Sequence, residues 1–188
     1  MNAWHDVPRG SPEQFNAIIE ISAGTRNKYE LDKETGMLKL DRVIHTSMMY
    51  PADYGFVPQT YWEDGDPLDV LVISRYPVQP LTMVPVRPIG VMQMIDAGEE
   101  DSKIIAVVAG DPKFDEIQDL TDLEGHMLRE IKHFFEVYKD LQGKKVLVEQ
   151  FYGKAHALAT LEKGFALYDQ RIAPTLGREV RLKAVAQE

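Results

Sequence analysis

The sequence predicts an α+β domain, mainly β, and three observations carry that prediction. Short apolar runs rich in β-branched residues, separated by turn formers, fill the first two-thirds of the chain. Helical spacing of apolar residues takes over after Leu120. No linker, repeat or low-complexity tract divides the 188 residues, so a single domain over 1–188 is expected. Its core spans about 15–152, and a C-terminal helix and tail occupy about 154–188.

Each element follows from its residues. Phe15 to Ile21 reads as a strand, apolar on both faces except at Glu20. Lys28 to Leu31 alternates, with Tyr29 and Leu31 on one side and Lys28 and Glu30 on the other. Glu34-Thr35-Gly36 marks a turn before a strand from Met37 to Arg42. Tyr50 to Phe56 is a stretch of aromatics and turn formers. Leu68 to Ile73 and Ile104 to Val108 read as buried strands. Pro77, Pro80, Pro85 and Pro88 predict a loop or edge passage before a strand from Ile89 to Ile95. Thr121, with Glu124 three residues on, forms a capping-box pattern. Leu123, Met127, Ile131, Phe134, Phe135, Tyr138 and Leu141 then share a helical face, and Gly143 supplies a stop. Lys145 to Phe151 is one more strand, and Leu158, Leu161, Phe165, Tyr168 and Ile172 outline a second helix.

Composition narrows the function. Lys and Arg total 21 against 30 Asp and Glu, a net charge of −9. That balance speaks against a nucleic-acid partner, where cations must replace counterions. It leaves room for a small anion, because a few basic residues in one cleft reverse the local field. Without cysteine there is no disulfide, thiolate nucleophile or Cys-ligated metal. The longest apolar stretch, Ile104 to Ala109, is far short of the roughly 20 residues of a membrane span. The N-terminus lacks a basic start followed by an apolar stretch, so no secretory signal is read and a cytoplasmic location is expected.

Chemistry concentrates in Asp64-Gly65-Asp66-Pro67-Leu68-Asp69-Val70. Three carboxylates at a stiff turn before a buried strand repel one another unless a cation sits among them. Oxygen donors without His or Cys suit Mg²⁺, Mn²⁺ or Ca²⁺. Taken alone, the same pattern equally fits a solvated acidic turn. An EF-hand is excluded, because Leu68 and Arg75 fall where that loop needs its fifth and twelfth ligands. A second cluster, Asp96 to Asp101 followed by Lys103, joins two apolar strands. Alone it reads as a charged hairpin tip; with the first cluster it suggests a shared metal site. Asp111, Asp115, Glu116, Asp119 and Asp122 precede a helix and read as a solvated face. Glu20 is either an internal ion-pair member or a site residue, since a buried charge needs a partner. Lys28 with Glu30 fits exposed alternation as well as a site. Tyr138-Lys139 could be core, or two donors for a phosphate. His5, His45, His126, His133 and His156 read as surface or subunit-contact residues. No phosphate-binding P-loop, dinucleotide fingerprint, nucleophile elbow or zincin motif is present.

Seven segments in this order resemble the soluble family I inorganic pyrophosphatases. They are I-I-E-I, K-Y-E-L-D, L-D-R-V, M-Y-P-A-D-Y-G-F, D-G-D-P-L-D-V, the R-P-I-G-V-M run into D-x-x-x-E-D-x-K, and H-F-F-E-V-Y-K-D-L. They cover the chain from about Glu20 to Leu141. The resemblance implies a five-stranded OB-like barrel with flanking helices. It implies hydrolysis of diphosphate to two orthophosphates by a metal-activated water, with several Mg²⁺ ions. Mn²⁺ or Zn²⁺ would substitute, and Ca²⁺ would inhibit.

Carried over by matching motifs, Asp64, Asp69 and Asp101 bind the tightest metal, and Asp69 also reaches a second ion. On the same resemblance, Asp96 and Asp101 would hold a substrate-linked ion, and Glu30 another through water. Asp66 matches the general base. Lys28, Arg42, Tyr54, Lys103, Tyr138 and Lys139 match the phosphate-binding residues, and Glu20 and Tyr50 have supporting roles. The second acidic loop departs from the common pattern at Ala97, where an acid often follows the first Asp. The resemblance also implies a homo-oligomer, a hexamer for a chain of this compact type. Three other readings stand beside it: an OB-like binding module, a phosphohydrolase acting on nucleotides or polyphosphate, and a catalytically dead relative.

Overall fold

The computed structural model describes residues 2–96 and 98–176; Ala97 and the tail expected beyond 176 lie outside the described residues. Seven strands precede the first helix, and, as expected, one more strand separates it from the second. In chain order they are β1 (Phe15–Ile21), β2 (Asn27–Leu31), β3 (Leu38–Val43), β4 (Asp53–Phe56), β5 (Asp69–Ile73), β6 (Met83–Asp96), β7 (Glu99–Val108), α1 (Gly125–Val137), β8 (Val146–Gly153) and α2 (Lys154–Arg171). Strands β1, β4, β5, β7 and β6 are neighbours in that order, and β1 also pairs with β6. The sheet therefore returns on itself as a five-stranded ring of the OB-like kind. β8 extends the far part of β6, and β2–β3 form a separate hairpin.

The apolar runs at residues 70–73 of β5 and residues 104–108 of β7 are explained by burial on both faces. Val70, Val72, Ile104 and Ala106 pack with Leu161 and Phe165 of α2. Leu71, Ile73, Ile105 and Val107 pack with Phe134 and Phe135 of α1. β5 and β7 run parallel, with Asp69 level with Lys103. That register sets the two acidic segments side by side at the starts of two buried strands.

Several expectations are corrected. Tyr50 to Phe56 is not only turn: Asp53–Phe56 is β4, fully buried. Its Gly55 lets two backbones touch, since a Cβ there would lie 1.8 Å from the Ile18 carbonyl oxygen. The prolines do not hold off β6, which starts at Met83 and runs through Pro85 and Pro88. Pro85 still accepts a bond from the Ala109 N–H at 2.9 Å, and Pro88 adjoins an irregularity in register. There β6 leaves β1 and takes up β8, so the missing N–H falls at a break in pairing.

The capping box belongs to Asp119 and Asp122, around the short turn Leu120–Asp122, and not to Thr121 and Glu124. Asp122 accepts the N–H groups of Gln118 and Asp119, and α1 starts only at Gly125. Asp119 and Asp111 are also more than solvated acids. Asp119 accepts the Lys154 N–H at the start of α2, and Asp111 pairs with Arg75 at 2.8 Å. Leu141 leaves the helical face, because α1 ends at Val137, and its side chain is exposed.

Candidate active site

Every site residue singled out in the sequence except Arg42 lines one cleft of about 320 Å³. β1 supplies Glu20, β2 supplies Lys28 and Glu30, and β4 supplies Tyr54. The turn into β5 supplies Asp64, Asp66 and Asp69. β6 and β7 supply Asp96, Asp101 and Lys103, and the end of α1 supplies Tyr138 and Lys139. Tyr50 precedes β4. Arg42 stands across from Lys28 in the β2–β3 hairpin and pairs with Asp41 at 3.3 Å. Its charge is nevertheless felt at Tyr138 and Lys139.

Lys103 is the electrostatic centre. Its ammonium lies 2.7 Å from Asp69 Oδ2 and 2.8 Å from Asp101 Oδ1, with its side chain 3% exposed. Burial pulls its pKa down, but Asp101 and then Asp69 override that, and it stands well above an ordinary lysine. Tyr54 donates to Asp69 Oδ2 and accepts from Lys103 at 3.1 Å. Burial first, and Asp69 and Asp101 next, raise the Tyr54 hydroxyl, so it stays a donor. Tyr50 and Tyr138 are raised for the same leading reason.

Other ammonium groups are paired in turn. Lys28 donates to Glu30, Lys139 to Asp96 and Lys33 to Asp66. Burial lowers Lys139 against the support of Asp96. Burial, with Asp69, Asp66 and Asp101 nearby, raises Asp64 against a bond from the Asp66 N–H. Glu20 accepts the Leu31 N–H at 2.6 Å and is pushed up to about 8, chiefly by burial.

The donor set is the test for a metal. Glu30, Asp64, Asp66, Asp69, Asp96 and Asp101 line the cleft, with no His. Such an all-oxygen set fits a hard cation such as Mg²⁺. Among the described residues no three acids close on one point. Lysine ammonium groups lie between them and act as counter-cations to the same oxygens.

The model of the family described as inorganic pyrophosphatase matches residues 17–169. The chain belongs to the inorganic pyrophosphatase family. It is accordingly an enzyme, a hydrolase of the inorganic diphosphatase class. The chain is 47% identical over 175 residues to a soluble inorganic pyrophosphatase of Zea mays, covering 92% of this chain and 82% of that one. It is 45% identical to soluble inorganic pyrophosphatase 2 of Chlamydomonas reinhardtii, covering 94% and 93%. Among solved structures it resembles the inorganic pyrophosphatase of Thermus thermophilus, with a TM-score of 0.87 and 43% identity over 90% of this chain and 99% of that one. The Helicobacter pylori inorganic pyrophosphatase gives 0.84 and 43% over 87% and 98%.

Trp4 and Lys33 also line the enzyme's cleft, and sequence reasoning singled out neither. Lys33 lies in a turn, and Trp4 lies far ahead of every motif. No local pattern marks either, because both reach the cleft through long-range contacts.

Proposed function

We propose that the enzyme hydrolyses inorganic diphosphate to two orthophosphates in this cleft, dependent on Mg²⁺. The observation that carries the reading is the convergence of seven acidic side chains and four lysines on one small cleft. A polyanion needs cations on its oxygens, and Lys28, Lys103 and Lys139 supply three of them. Asp64, Asp69, Asp96 and Asp101, with Glu30, would hold the ions. Bound Mg²⁺ supplies charge neutralisation and a more acidic water.

This chain's own residues do the rest. Lys28, Lys103, Lys139 and Arg42 hold the phosphate oxygens and offset charge on the leaving phosphate. Tyr54 and Tyr138, kept protonated, donate to phosphate, and Tyr50 and Glu20 support them. Asp66, half exposed at the rim, accepts the proton of the attacking water. No covalent nucleophile is used. The enzyme acts in the cytoplasm as a homohexamer and needs neither nucleic acid nor membrane. Among the described residues, no helix is long and apolar enough to cross a membrane.

Purified protein should release phosphate from diphosphate with Mg²⁺ and lose that activity in chelator. Equal turnover of ATP or tripolyphosphate would reject diphosphate as the specific substrate and favour a broader phosphohydrolase. Calcium should inhibit, because its larger, looser shell competes at the same oxygens.

A further inference from the structure

We propose that Lys33 is a positioning residue of the reaction, holding the Asp66 carboxylate at the rim of the cleft from a mount built by the N-terminal segment. The inference rests on the reading of Asp66 as proton acceptor.

Lys33 donates to Asp66, and its ammonium lies 5.3 Å from the centre of the Trp4 ring, within cation–π reach. Its own turn is tied twice: Asp32 Oδ1 accepts the Thr35 N–H at 2.8 Å and the Thr35 hydroxyl at 2.7 Å. Its carbonyl accepts the Asn2 side-chain amide at 3.0 Å. Trp4 is 5% exposed, and its indole N–H donates to the Thr60 carbonyl at 2.8 Å. Thr60 is fully buried, and its hydroxyl accepts the Leu68 N–H at 2.8 Å, in the segment that carries Asp66. One buried threonine thus references both partners of the Lys33–Asp66 pair: Lys33 through Trp4, and Asp66 through Leu68.

A solvent-facing ion pair of no consequence would look different. Both side chains are about half exposed, 47% and 55%, so the pair adds little to stability. A surface lysine of that kind needs no aromatic mount, and its backbone needs no strap from residue 2. Two long-range restraints, the Trp4 ring against its ammonium and the Asn2 amide on its carbonyl, on a residue that contributes little to folding point to a requirement for where its charge sits. A carboxylate that must receive a proton in flight is sensitive to direction, and loss of orientation alone slows chemistry.

The test is steady-state kinetics on Lys33→Met, Lys33→Arg, Asp66→Asn and the Lys33→Met/Asp66→Asn double variant, with Tm and calorimetric Mg²⁺ titration on each. Lys33→Met should lose roughly ten- to a hundredfold in kcat, with KM for diphosphate, Mg²⁺ affinity and Tm close to the parent. Lys33→Arg should restore most of the loss. In the Asp66→Asn background the lysine change should cost nothing further, since the pair acts as a unit. An unchanged kcat for Lys33→Met beside a slow Asp66→Asn overturns the role of Lys33 alone. A raised KM with unchanged kcat also overturns it, and makes Lys33 a simple binding charge. A fully active Asp66→Asn overturns both this inference and the assignment of Asp66.

Discussion

Asp66 and Asp69 are three residues apart, yet their surroundings separate their roles. Asp69 accepts from both Tyr54 and Lys103, beside the buried end of β5. Asp66 faces the rim and Lys33. Asp69→Asn should therefore weaken Mg²⁺ binding and activity together, with part of the loss recovered at high Mg²⁺. Asp66→Asn should chiefly lower turnover, by about 10²–10⁴-fold, and added Mg²⁺ should not restore it. Calorimetric Mg²⁺ titration beside the phosphate-release assay separates the two. Recovery of Asp66→Asn by excess Mg²⁺ would make Asp66 a ligand instead.

Glu20 gives a pH signature at the same scale. Its surroundings are Asp69 and Glu30, which raise it, and Lys28, which lowers it, with burial the largest influence. Its folded pKa of about 8 lies above the ordinary 4.5, so the folded state holds the proton more tightly than the unfolded one. The stability linked to that proton is fully present below 4.5 and is lost as pH rises towards 8. In chelator, urea unfolding should show a decline of a few kcal/mol, in order of magnitude, across that window. Glu20→Gln, which keeps an acceptor for the Leu31 N–H, should flatten it. An equally steep decline in that variant would assign the pH dependence elsewhere.

Among the elements, β1 and β4 meet backbone to backbone at Gly55. A Cβ at Gly55 would lie 1.8 Å from a backbone oxygen and 2.8 Å from the carbonyl carbon of Ile18. Backbone cannot turn aside as a flexible side chain can, so Gly55→Ala should cost about 3 kcal/mol or prevent folding. Gly125, first residue of α1, has only the Arg129 guanidinium 3.7 Å away. Gly125→Ala should raise stability by about 0.5 kcal/mol through the unfolded state. Thermal melts of the two variants check the pair, and similar destabilisation by both would contradict the contrast. α1 carries its own share of the site: Phe134 and Phe135 fix it on the sheet, and Tyr138 and Lys139 at its end reach the cleft.

For the whole molecule, a net charge of −9 coexists with a cleft that holds four lysines. The acidic exterior keeps polyanions off most of the surface, and the local cations admit them at one place. Met37, Leu40 and Val43, on and beside the β2–β3 hairpin, are about half exposed or more. Light scattering at micromolar concentration and neutral pH should give about six times the 21.4 kDa chain mass. A monomer would reject the hexamer. His126 and His133 on α1 are both exposed.

What the amino-acid sequence determined by itself was the family and the two acidic segments that mark the cleft. Asp64, Asp66 and Asp69 lie within six residues, and Asp96, Asp101 and Lys103 within eight. A turn followed by a buried strand imposes a local pattern that can be read without contacts. The strand-rich first part and the two helices were legible for the same reason, since periodicity is local. Tertiary structure alone decided the rest. The parallel register of β5 and β7 put Lys103 between Asp69 and Asp101. Pairing with a new neighbour let β6 continue past Pro88, where propensity predicted a break. Burial raised Glu20 and gave it the Leu31 N–H as its donor. Contacts between the first residues and a distant turn brought Trp4 and Lys33 to the rim. Each of these depends on which chain segments meet, and spacing along one segment carries no record of its partner.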